Sequence, residues 1–183
     1  MSKPAAEYVD YGAVDFCPTA VLTVGAAITD TLVTIGSGSM LNQVAVGSWA
    51  QMGSEIVRVD VVTSTTLTIG RGCLDTVPVA HAPGTRVFFS DVFLETDSIE
   101  YATGETARVK LLPVSGFGQL PLVSASEQTV TMARRQYRPY PPGRLRINGN
   151  AYPATASGST ITVAWAHRDR LLQTAGSISD TEA

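Results

Sequence analysis

Residues Glu55 to Phe89, EIVRVDVVTSTTLTIGRGCLDTVPVAHAPGTRVFF, decide the fold class. Val57, Val59 and Val61 alternate with Arg58 and Asp60, the period-two pattern of a strand with one face buried and the other wet. Thr63 to Thr66 supplies a turn, after which Leu67 and Ile69 return on the apolar side. Arg71-Gly72 ends that strand, Asp75 and Thr76 offer side-chain oxygens for a local turn, and Pro83-Gly84 reverses the chain into Arg86 to Phe89. The stretch predicts a β-meander with a built corner. Its loop would be tied by Arg71, Asp75, Thr76, His81 and Gly84, with His81 bonding to neighbouring backbone.

Outward from this stretch, short strands alternate with turn chemistry and almost nothing reads as helix. Val21 to Val24, Thr31 to Ile35 and Gln43 to Trp49 are rich in β-branched residues, and Gly36-Ser37-Gly38-Ser39 reads as a loop between the last two. Further strands are expected at Asp91 to Glu95, Thr106 to Leu112 and Gln128 to Met132. Strands recurring at this spacing predict an all-β chain: a β-sandwich or partly closed β-barrel over residues 1–135, with a subdivision into two subdomains near 90–105 as an option. Trp49 and Trp165 are expected to fill cores.

At 183 residues the chain can bury roughly 70% of its unfolded surface without covalent staples. Cys17 and Cys73 lack a CxxC spacing, so free buried thiols are expected over a bridge. Met1-Ser2-Lys3 runs into Pro4 without an apolar stretch, and Ala20 to Ile28 is too short to span a bilayer. Neither a signal peptide nor a membrane span is expected. Charge is uneven: residues 1–110 hold six basic and twelve acidic side chains, whereas 128–170 hold seven arginines against Asp169 alone. Such a basic segment raises nucleic-acid binding. Its arginines, however, fall in strand and Pro-rich contexts with few stacking aromatics, so no nucleic acid is expected. They are expected to pack over tyrosines and meet carboxylates at a domain or subunit interface. That interface would comprise Arg138, Tyr140, Arg144, Arg146, Trp165, His167, Arg168 and Arg170.

Tyr137-Arg138-Pro139-Tyr140-Pro141-Pro142-Gly143 marks a stiff linker over 136–143, because proline fixes φ and withholds N–H donors. Arg144 to Ile147 then alternates into the tight-turn dipeptide Asn148-Gly149, and Thr160 to Trp165 forms a second strand. The Pro-Pro start and Trp165 resemble the opening strands of a fibronectin type III domain. That resemblance implies a sandwich of roughly 100 residues, so 144–183 would be an incomplete strand pair with a polar tail. The missing strands would come from a longer polypeptide or from a partner, because two strands with an apolar face are marginal alone.

Chemistry is sparse. His81 with Cys73 and Asp75 could suggest a metal or a Cys/His nucleophile, but no further ligand sits at a suggestive spacing. Glu95, Asp97 and Glu100 lack a calcium-loop pattern and read as a solvated edge; Gly36 to Ser39 lacks the lysine of a phosphate loop. No enzyme is expected, and no catalytic residue, metal ligand or cofactor.

The order of Glu55-Ile56-Val57-Arg58, Arg71-Gly72, Asp75-Thr76, His81, Gly84 and Val87 resembles a segment of bacteriophage tail-tip proteins, including the host-specificity hubs of long-tailed phages and gene-transfer agents. Arg138 to Gly143, Ile147-Asn148-Gly149 and Trp165-Ala166-His167-Arg168-Asp169-Arg170 are similar to the segment that follows there, so the resemblance spans roughly 50–172. It implies a structural module of a phage or prophage tail tip, an internal piece of a longer hub. The partners implied are other tail subunits, in a homo-oligomer such as a trimer, and a host-surface receptor or polysaccharide. The location implied is the virion tail, assembled in the bacterial cytoplasm. The alternative is an adhesion or carbohydrate-binding β-module of a bacterial surface protein.

Overall fold

A computed structural model describes residues 7–10, 12, 16–90 and 100–168. The chain is all-β, and its described residues divide into two units, which are taken in turn.

The larger unit, drawn from 15–94 and 139–183, is built on a closed six-stranded barrel. Its strands are β1 (Thr19–Leu22), β2 (Leu32–Ser39), β3 (Trp49–Met52), β4 (Glu55–Val62), β5 (Thr66–Gly70) and β6 (Arg86–Ser90), ordered β1-β2-β5-β4-β3-β6 around the ring. Alternation makes the core. Each strand sends two apolar side chains inward: Ala20 and Leu22, Val33 and Ile35, Ala50 and Met52, Val57 and Val59, Leu67 and Ile69, Val87 and Phe89. Fully burying side chains of the Val, Leu, Ile, Met or Phe kind is favourable by about 1.5–3 kcal/mol each, so this lining is the main source of the barrel's stability. A barrel of so few strands is filled by side chains and has no lumen.

Several expectations change in detail. The 55–89 stretch is not a simple meander: β5 pairs with β4 and β2, and β6 crosses to lie between β3 and β1. That crossing closes the ring. A bulge at Asp60, where Val59 pairs with Ile69 and Val61 with Thr68, turns Val61 outward to 51% exposure. Gly36 to Ser39 is no loop but the end of β2. Its glycines suit crowded points, since a Cβ on Gly38 would meet Leu41 at 2.4 Å and one on Gly36 would meet Thr23 at 2.8 Å. The expected strand at 43–49 is replaced by a 3₁₀ turn at Leu41–Gln43, with β3 starting at Trp49.

In the smaller unit, β7 (Thr106–Lys110) pairs antiparallel with β10 (Glu127–Thr131), and a short hairpin joins β8 (Val114–Ser115) to β9 (Gly118–Gln119). The Tyr8 ring lies under Arg108 and Lys110, with the cations 5.1 and 5.4 Å from its centroid, and its hydroxyl donates to Glu127. A 3₁₀ turn, Arg135–Tyr137, ends this unit.

The larger unit resumes at Pro139 with a three-stranded sheet, β12 (Asn150–Ala151), β11 (Gly143–Ile147) and β13 (Val163–Ala166). Asn148 and Gly149, with φ of 50° and 81°, make the left-handed pair that a two-residue hairpin turn requires. Trp165 is 57% exposed here, contrary to the expectation that it fills a core. Trp49 does pack, against Ile56 and Cys73 on the outer face of β4. Both thiols are free, but only Cys73 is buried as expected; Cys17 is half-buried. The expected strand at 91–95, residues Glu95 and Asp97, Arg170 and the polar tail lie outside the described residues.

Candidate functional site

The loop expected to tie itself by His81 and backbone is instead organised around a carboxylate. Glu55 begins β4 in phase with Val57 and Val59, so its side chain enters the barrel end and is fully buried, at 0% exposure. A buried ion must be paired and hydrogen-bonded to be tolerated. Arg71, at the exit of β5, meets it with a two-pronged contact: Nε donates to Oε1 and Nη2 to Oε2, each at 2.8 Å. The Gly72 N–H donates to Oε1 at 2.7 Å, the Val79 N–H to Oε2 at 3.1 Å, and His81 Nε2 to Oε2 at 2.9 Å. The ionised acceptor requires the proton to be on that His81 nitrogen.

The guanidinium is as fully engaged as the acid. Arg71 Nη1 donates to Ala27 O and Asp30 O at 2.7 and 2.9 Å, and Nη2 also donates to Val79 O at 2.6 Å. All five of its N–H groups are thereby used. One Arg–Glu pair thus joins β4, the end of β5, the 27–30 turn and the 72–81 loop. Burial pushes the Glu55 carboxyl up, but bonds from Arg71 and His81, the Arg71 charge and the Val79 N–H outweigh it, leaving the group below the ordinary carboxylate value.

Around this centre the remaining loop residues take separate places. Thr76 Oγ1 donates to Cys73 O at 2.7 Å and accepts from the Ile56 N–H at 3.1 Å, clamping the loop over the outer face of β4. Asp75 is half-buried in the same loop. Gly84, at φ 86°, is a turn residue whose N–H reaches Leu22 O at 2.7 Å, apart from the carboxylate. Of the expected set, Arg71 and His81 converge on Glu55, Thr76 supports them from the side, and Gly84 does not take part.

The described residues of the second expected set differ in burial. Arg138 and Arg146 are exposed and bond to nearby carbonyls, Ala133 O at 3.1 Å and Gly149 O at 3.0 Å. Arg144 is exposed at φ 47°, His167 is exposed, and Tyr140 is half-buried. Among the described members only Arg168 is buried. It donates from Nε to Pro141 O at 2.7 Å, from Nη2 to Thr76 O at 3.2 Å and from Nη1 to Gly72 O. These acceptors are main-chain carbonyls; an arginine lies over a tyrosine ring at Arg108 and Tyr8.

No protein-family model matches this sequence, and no curated protein matches it. Function must therefore be argued from the residues. Among those described, no group of three or more His, Cys, Asp or Glu side chains is arranged to hold a metal ion, and no helix is long and apolar enough to cross a membrane. The Glu55–Arg71–His81 arrangement superficially suits acid–base work, but its chemistry is that of a knot. The carboxylate accepts five hydrogen bonds and the guanidinium donates five, so neither has capacity left for a substrate.

Proposed function

We propose that this chain is a structural, non-catalytic module of a phage or prophage tail tip, which packs against neighbouring tail subunits and supports host attachment. The observation carrying the reading is the saturation of the buried Glu55–Arg71 pair. A polar centre that satisfies itself locks four chain segments together and gives the barrel a rigid end suited to presenting surfaces. Glu55, Arg71, Gly72 and His81, which form this centre, are also among the positions that carry the resemblance to tail-tip hubs. Apolar side chains at Val114, Phe117 and Val123 stand exposed, as surfaces awaiting neighbours do. In this reading the protein resides in the virion tail and acts in a homo-oligomer, with a receptor or polysaccharide on the host envelope as its distal partner. Fibronectin-like strands supplied by a longer chain or a partner would complete the β11–β13 sheet.

Immunogold electron microscopy of particles from an induced lysate, with antibody raised to this chain, is expected to label tail tips. Label confined to the bacterial surface would sink the proposal. The exposed Trp165 favours one alternative, an adhesion or carbohydrate-binding module, because an open indole suits sugar stacking. A saturable change in Trp165 fluorescence on titration with envelope polysaccharide, lost in Trp165→Ala, would support it.

A further inference from the structure

The Arg168 cradle crosses from the three-stranded sheet to the barrel. Its side chain follows β13, one of its acceptors is Pro141 just before β11, and the other two are Gly72 and Thr76 in the barrel's own loop. We propose that Arg168 is a latch: it fastens the β11–β13 sheet to the barrel, and the sheet can leave without the barrel unfolding.

Two features support separability, and a third explains why the latch is an arginine. The barrel closes on itself, and among the described residues the strands of the β11–β13 sheet pair only with one another. The barrel's half of the cradle is also built independently of Arg168. The Cys73 N–H donates to Ile56 O at 2.7 Å, and Thr76 Oγ1 accepts from the Ile56 N–H. Gly72, held at φ 56° with its N–H on Glu55, aims its carbonyl away from the carboxylate toward Arg168. The Gly72–Cys73 peptide therefore accepts from Arg168 at one end while donating to Ile56 at the other, a chain in which each bond strengthens its neighbour. Finally, the occupant is chemically specific. A planar guanidinium can address three carbonyls that lie in different directions, whereas the ammonium of lysine concentrates its donors on one atom.

Amide hydrogen exchange on the full chain tests this. In Arg168→Ala, exchange across 143–166 is expected to rise about a hundredfold, the scale set by losing charge-assisted bonds to buried and part-buried carbonyls, while β4 and β5 keep their protection. Arg168→Lys is expected to behave like the alanine variant. Unchanged exchange in 143–166, or full restoration by lysine, would overturn the latch. Equal loss of protection in the barrel strands, or failure of both variants to fold, would overturn it too, since the sheet and barrel would then be one indivisible body.

Discussion

Glu55 concentrates most of what is unusual in this molecule. Its carboxyl lies below the ordinary value in the folded chain, whereas the unfolded chain titrates near 4.3. The stability it contributes is therefore complete above that ordinary value and is lost as pH falls through the lower, folded one. Urea midpoints measured over a pH series are expected to hide Glu55 from neutrality to about pH 5 and to reveal it below about pH 4.3. Glu55→Gln, which leaves Arg71 buried without its counter-charge, is expected to cost about 3–5 kcal/mol at neutral pH and to flatten that part of the acid limb. An acid limb identical in both proteins would contradict the assignment. His81→Ala removes one of five bonds to the carboxylate and is expected to cost about 1–3 kcal/mol by the same measurement. Gly72→Ala adds a methyl 2.4 Å from Pro78 Cδ at a φ of 56°, so thermal melts should show a loss of at least about 2 kcal/mol. Arg71 and His81 were legible as members of a loop tie because arginine, glycine and histidine cluster in a turn-rich passage. The acid at its centre was not, since a polar residue opening a strand is ordinarily taken as solvent-facing. Its phase with Val57 and Val59 was the available signal.

At the scale of elements, strand identity followed from alternation and strand pairing did not. The hairpin of β4 and β5 was readable because Thr63 to Thr66 lies between two alternating runs. The Asp60 bulge was invisible, since nothing in a residue type announces an unpaired position, yet it inverts the side chains beyond it. Val59→Ala and Val61→Ala therefore separate sharply. The first is expected to cost about 2 kcal/mol or more by cavity formation, and the second to stay within about 0.5 kcal/mol, as chemical denaturation would report. Glycine pairs misled in the opposite direction: the run at 36–39 has loop composition, but Thr23 and Leu41 approach Gly36 and Gly38 so closely that small residues suit a strand there. Burial of Trp165 failed as an expectation because a short three-stranded sheet leaves one face open.

For the whole molecule, the all-β class was legible while ring closure was not, because closure depends on β6 bypassing β5, a long-range choice that no local pattern encodes. The tail-tip proposal makes its own demand at this scale. Sedimentation velocity over a concentration series is expected to show self-association, and Phe117→Ser with Val123→Ser is expected to weaken it; a monomer at all concentrations would remove the oligomer from the proposal. The ring has a further consequence. Thr19, at the start of β1, pairs with Phe88, near the end of β6, so the polypeptide enters and leaves the barrel side by side. Partners in neighbouring antiparallel strands lie about 5 Å apart, close enough to be spliced into the hairpin bend of an unrelated host. Residues 19–90 thus have the geometry of a transplantable cassette, which evolution or an engineer could insert without prising the recipient's ends apart.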